Sequence, residues 1–478
     1  MSDRLALSTF WQSVGTRFLP FADAASTELP LGRLLRLALF QVSVGIAMVL
    51  LNGTLNRVLI VEMNTPTWIV ALMIGIPLMV APFRALIGYR SDTHRSVLGW
   101  RRVPYIWFGT LMQFGGLAIM PFALILLTRP DTFSIGVGAS CFAFLLTGAG
   151  MHVTQTAGLA LATDLAPEDK RPRVVALLYV MLLVGMMLAA FAIGGLLRDF
   201  TPTRLVQVIQ GAAALTMVLN IVALWKQEVR NRALTTSHHS DPAFAQLWAA
   251  FTAQPNARRL LLAIGVGATA FAMQDALLEP YGGEILGLSV GSTTALTGAW
   301  AAGAMLAFAY GARQLSAGAD PLRLAGLGGV AGIIAFLMAL FAAPLASPPL
   351  LFAGAVMIGF GTGLFSVGTM IAAMGLAQNA NSGLALGAWG AVQASCAGIG
   401  VALGGLLRDG IAYAALHDSL GATLADRATG YGTVYLVEIA LLLAAIVVLG
   451  PVTGMNRNVG QNSGGQEQER FGLSEFPT

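Results

Sequence analysis

Charge is what this chain has least of. Only 10% of its residues are Asp, Glu, Lys or Arg, against 56% apolar, and the mean hydropathy is +0.73. A surface so poor in charge is unsuited to water, so a soluble globular class is excluded and lipid is the natural solvent. Cysteine is nearly absent as well. Cys141 and Cys396 lie far apart inside apolar runs, which excludes a disulfide or thiolate-metal framework and makes both small packing residues. Of five histidines, His94, His238, His239 and His417 fall in predicted loops as solvated side chains. The first twenty residues lack the apolar core and small-residue cleavage site of a leader, so no removal is expected there. No nucleic-acid motif, nucleotide loop, metal-ligand spacing or nucleophile-base pair appears, which leaves an enzyme the weakest of the functional classes.

What is present is a succession of apolar runs of the length that crosses a bilayer, about 20 residues each. Twelve are predicted, at 34–61, 66–89, 103–127, 134–162, 173–197, 203–225, 259–280, 290–312, 322–343, 349–376, 382–407 and 430–450. Twenty-one of the 27 Lys and Arg residues lie in alternate connections and at the two ends, so the positive-inside rule puts both termini in the cytoplasm. The net charge of +4 follows from that asymmetry and suits a surface facing anionic lipid, not nucleic acid.

A hexapeptide recurs: Gly194 to Asp199 and Gly404 to Asp409 both read GGLLRD, each at the end of the fifth run of six. Gly148-Ala149-Gly150 and Gly359-Phe360-Gly361 precede them at nearly the same offset. The chain therefore reads as an all-α integral membrane protein of major facilitator fold, with twelve transmembrane helices in two six-helix halves. Its divisions are an N-terminal cytoplasmic segment 1–33, a bundle 34–225, a cytoplasmic linker 226–258, a second bundle 259–454 and a polar tail 455–478 expected to be disordered. Leu7, Trp11, Val14 and Phe18 predict one interfacial helix, and Phe244, Leu247, Trp248 and Phe251 after Asp241-Pro242 predict another.

Three sets of residues could carry function. His152 is the one histidine deep in a span, with Gln155 and Thr156 at i+3 and i+4 on the same face. It reads either as a core histidine bonded to those neighbours or as a site for a ligand. Asn52, Asn56 and Arg57 of the first span face Asp275 and Glu279, with Gln274, of the seventh, its equivalent under the repeat. Arg57 pairing with Asp275 or Glu279 would neutralise charges costly in lipid, as a gate or as a static pair. In the connection between spans two and three, Gly88 and Asp92 begin a Gly-x-x-x-Asp gating element, followed by Arg95, Arg101 and Arg102. Arg84 is expected to snorkel to the surface or meet Asp164, and Glu438 stands unexplained in the last span.

Three strings are more specific than any of these patterns: FRALIGYRSDTHRSVLGWRRVPYIWFGTLMQFGG at 83–116, GAGMHVTQTAGLALATDLAPEDKRPRVVALLYVML at 148–182 and LLEPYGGEILGLSVGSTTALTGAW at 277–300. They resemble the PucC/LhaA family, the bacteriochlorophyll delivery branch of the major facilitator superfamily, over Leu31 to Pro451. The loop departs from the general facilitator signature, reading Thr93-His94-Arg95 and reaching Gly99-Trp100-Arg101-Arg102 only after extra residues. The resemblance implies an assembly factor for light-harvesting antenna complexes of purple bacteria. Its implied cofactor is bacteriochlorophyll, held transiently, with His152 a candidate ligand to the pigment magnesium. Its implied partners are antenna polypeptides, the reaction-centre core complex, pigment-synthesis or insertion machinery and membrane lipid, with Arg101 and Arg102 in a docking loop. The alternative is a secondary, proton-coupled transporter of a small solute or pigment precursor, with Arg57, Asp275 and Glu279 as its coupling set.

Overall fold

The computed structural model describes residues 29–80, 83, 100, 102–167, 170–228, 256–376, 382–417 and 426–462. All regular structure among them is helical. The spans are α1 (Leu31–Glu62), α2 (Thr67–Val80), α3 (Val103–Leu127), α4 (Phe133–Leu165), α5 (Arg171–Leu196), α6 (Pro202–Leu224), α7 (Ala257–Glu284), α8 (Val290–Ser316), α9 (Pro321–Ala342), α10 (Pro348–Leu376), α11 (Ser382–Leu416) and α12 (Ala428–Asn462). Eleven are long and apolar enough to cross a membrane, and α2 is a shorter apolar helix. Both predicted interfacial helices, Arg84, His94, His238 and His239 lie outside the described residues.

Starts and stops follow local chemistry. Thr201, Ser289 and Asp320 each accept a backbone N–H of the first turn of α6, α8 and α9 through the side chain, and Pro202 and Pro321 occupy first-turn positions where no N–H is needed. Large apolar side chains remain on the outside, Phe122 at 67% exposure and Val447 at 71%. In a membrane these positions face acyl chains.

Successive spans run in opposite directions, so residue 29, the ends of the 228–256 connection and residue 462 share one face, here the linker face. The opposite face is termed distal. Packing repeats with a shift of six helices: α3 on α4 corresponds to α9 on α10, α2 on α4 to α8 on α10, α1 on α5 to α7 on α11, and α1 on α6 to α7 on α12. The glycine pairs show why. A Cβ on Gly150 would meet backbone of α3 at Gly109 and Gln113, and one on Gly361 would meet backbone of α9 at Gly328 and Gly332. Only glycine permits that helix separation.

Two expectations need correction. The second GGLLRD does not close its span: α5 stops at Leu196, whereas α11 runs through Arg408 and Asp409 to Leu416. After the first copy, Thr201 and Pro202 start a new helix; after the second, Ile411-Ala412-Tyr413-Ala414-Ala415 continues the old one. Likewise α12 extends to Asn462, past Met455 where order was expected to end, because elongating an established helix is far easier than starting one. Cys141 and Cys396 are free thiols, and His417 is exposed, its ring stacked 4.0 Å from that of Tyr413.

Candidate functional site

The halves meet along α2 against α11 and α5 against α8, and their polar contacts gather toward the distal face. There α1 leaves α-helical geometry. Val49–Leu55 and Val58–Glu62 are π-helical, a winding common at functional positions, with bonds spanning five residues. Asn56 and Arg57 sit between the two π stretches. The spacing of four that set Asn52 beside Asn56 assumed an α-helix, and Asn52 is half-buried and apart from the contacts Asn56 makes.

Across the interface α7 is also irregular, tightening to a 3-10 turn at Met273–Ala276 before resuming at Leu278. The break presents the Asp275 carbonyl, which accepts from Asn56 Nδ2 at 3.3 Å. The same amide donates to Glu279 Oε2 at 3.1 Å, and Thr297 Oγ1 of α8 donates to Glu279 Oε1 at 2.7 Å. Thr54 of α1 and Thr294 of α8 add a hydroxyl pair at 3.2 Å. Asn56, Asp275 and Glu279 are thus brought together as expected.

Arg57 is not their counter-ion. Its guanidinium pairs with Glu62 on its own helix and donates to the Leu288 carbonyl at 3.1 Å. It lies over Gly283, where a Cβ would meet the guanidinium, one turn beyond Glu279. Glu62 wins because it is five residues along a helix already formed, so pairing orders little further chain.

A second junction was missed from sequence. Arg408 of α11 donates to Glu284 Oε2 at 2.5 Å, to Asp409 Oδ1 at 2.9 Å and to Thr67 Oγ1 of α2 at 3.1 Å, with the Tyr431 ring beneath it at 4.6 Å. Asp409 accepts the Trp68 backbone N–H at 2.9 Å. Arg and Asp of the second hexapeptide therefore hold α2 to α11 and α7 at the distal face. The first copy does no such work: Asp199 is 89% exposed and only 3.8 Å from Arg204. The uninterrupted sequence after Asp409 was the available signal.

Toward the membrane centre, Gln155 of α4 donates to Gln41 of α1 at 3.2 Å, which is why it is buried, while His152 and Thr156 are half-buried on the same helix face. Gln41 was not foreseen. The half-buried imidazole of His152 offers a nitrogen donor of the kind that could hold a metal ion.

Of the docking loop, Gly88, Asp92, Arg95 and Arg101 lie outside the described residues. Arg102 is buried; its Nε donates to Asp164 at 3.0 Å, and Glu228 accepts the Arg102 and Val103 backbone N–H groups at 3.1 and 2.9 Å. An acid at the first turn of α3 is favoured there, and with Asp164 it holds Arg102, expected in a gate or docking loop, inside the bundle. Asp164 thereby has Arg102 as a partner.

Comparison with known proteins agrees with this architecture. The family model for the PUCC protein matches residues 54–456. An uncharacterized protein of the puhA-bchM intergenic region of Rhodobacter capsulatus is 52% identical over 471 residues, 98% of each chain. Protein PucC of Rhodovulum sulfidophilum is 56% identical over 407 residues, 84% of this chain and 90% of that one. Among solved structures, a bacterial homologue of the lysosomal transporter Spinster superposes with a TM-score of 0.68 at 15% identity, covering 87% of this chain and 95% of that one. At that identity the likeness establishes the fold, which is that of the major facilitator transporters.

Proposed function

The chain belongs to the PUCC protein family, and on that premise we propose that it is a non-catalytic assembly factor for bacterial light-harvesting antenna complexes. It binds bacteriochlorophyll and escorts antenna polypeptides within the inner membrane, linker face to the cytoplasm. The family match supports the antenna role, and the observation that supports pigment handling is His152, half-buried near the middle of α4. When bound, the pigment would supply a magnesium ion open to a fifth ligand. The chain's part would be to present the His152 imidazole from a fixed helix, while the Gln155 to Gln41 bond ties that helix to α1. Excess arginine at the linker face supports the orientation.

The test is the near-infrared absorbance and subunit content of the protein purified in mild detergent from phototrophically grown cells. Bacteriochlorophyll and antenna polypeptides are expected to co-purify, and His152→Leu is expected to lower bound pigment without lowering yield. Preparations free of both pigment and antenna subunits would overturn the reading; pigment unchanged in His152→Leu would remove His152 from it.

A further inference from the structure

Four polar side chains are buried together inside the first half. Ser43 of α1, Thr110 and Gln113 of α3, and Asn220 of α6 are each at most 1% exposed. Thr110 and Gln113 lie one turn apart on a single face of α3. Gln113 Nε2 donates to the Ser43 carbonyl at 3.1 Å and to Ser43 Oγ at 3.2 Å. Asn220 Nδ2 donates to Thr110 Oγ1 at 3.0 Å, and the Thr110 hydroxyl donates to the Ile106 carbonyl at 2.7 Å. A carbonyl can only accept, so the Gln113 nitrogen must face Ser43 and its oxygen must face away.

These bonds leave a remainder. Gln113 Oε1 and Asn220 Oδ1 are buried acceptors with no donor among the described residues, a state that costs more than a hydrogen bond usually gains. The fold itself does not demand it, because the second half builds the same junction otherwise. Gly150 packs on Gly109 and Gln113 as Gly361 packs on Gly328 and Gly332, so Gly332 stands in the place of Gln113 and Gly329 in that of Thr110. Against those glycines lie Phe271 of α7 and Leu442 and Ile446 of α12, all apolar. The second half closes this junction dry, and the first keeps four polar groups in it.

Whatever satisfies the two oxygens must be small, neutral and able to donate twice. A metal cation does not fit: it takes about six oxygens, and the Ser43 and Thr110 oxygens are already turned to amide nitrogens. We propose that the junction is a binding site for one water molecule, which donates to Gln113 Oε1 and Asn220 Oδ1 and joins α3 to α6 behind α1. Ser43 and Gln41 are two residues apart and so on nearly opposite sides of α1. Gln41 is bonded to α4 and Ser43 to α3, so the completed junction fixes the rotation of the helix that carries Asn56 to the other half. The inference is independent of any pigment or antenna role.

An experimental map of the purified full-length protein, fine enough to show ordered water, should hold one peak within hydrogen-bond distance of both oxygens. Apolar variants of similar size read the same site by heat. Gln113→Leu and Asn220→Leu should each lower the inactivation temperature in detergent, because either change leaves the water and the remaining oxygen without a partner. The two combined should lower it by less than the sum of the single losses, since the junction then closes dry as it does in the second half. Single losses that simply add would overturn the proposal. A map without the peak would overturn it too, the Asn220 amide then turning to donate to Gln113 Oε1 itself.

Discussion

Asn56 Nδ2 of α1 donates to Glu279 Oε2 of α7 at 3.1 Å, a buried bond between two helices that the six-helix repeat makes equivalent. Removing the donor leaves a carboxyl oxygen with no partner, a cost of about 1–3 kcal/mol. Asn56→Ala should therefore lower the thermal inactivation temperature in detergent, while Asn52→Ala, half-buried and outside the contact, should leave it unchanged. Equal effects of the two substitutions would refute the special standing of Asn56.

Arg57 is 5% exposed and depends on Glu62 for its counter-charge. Glu62→Gln should destabilise the protein by about 1 kcal/mol, since Glu62 is exposed and water screens part of the pair. Exchanging the pair, Arg57→Glu with Glu62→Arg, should recover part of that loss, whereas Arg57→Glu with Glu279→Arg should recover none. Thermal inactivation of the three variants decides between the local partner and the one expected across the halves.

The spans and the twofold repeat were legible in the sequence because they depend on composition over twenty residues, which no tertiary contact can alter. Finer features turn on competition between near-equal local states. Four-residue spacing put Asn52 with Asn56, but α1 winds as a π-helix there, and nothing in side-chain type marks that change of register. Arg57 had acids available near and far, and sequence cannot weigh a five-residue reach against a cross-half one. Gln41 and Gln155, separated by 114 positions, carry no local signal of their bond.

Glycine content was legible, but its necessity varies by position. A Cβ on Gly361 would press on backbone of α9 at Gly328 and Gly332, which cannot swing away, while one on Gly195 would meet nothing within 4 Å. Gly361→Ala should cost about 1–3 kcal/mol through forced helix displacement, and Gly195→Ala should be neutral or stabilise by up to about 1 kcal/mol through helix propensity. Thermal inactivation of the two alanine variants, measured in parallel, checks the opposite signs.

The two GGLLRD copies offer an internal control, since sequence is held constant and only surroundings differ. Arg408 is half enclosed by Glu284, Asp409, Thr67 and the Tyr431 ring, so its loss would leave Glu284 to the Tyr431 hydroxyl and Arg427 and release α2 from α11. Arg198 is an exposed side chain at the end of α5, where substitution removes little. Arg408→Gln should lower the inactivation temperature and make a cysteine placed at Thr67 more reactive to a membrane-impermeant thiol reagent, in a background with Cys141 and Cys396 replaced. Arg198→Gln should do neither. Should both substitutions raise labelling alike, the second copy would be no more a latch than the first, and closure would rest on the glycine contacts and on Asn56 alone.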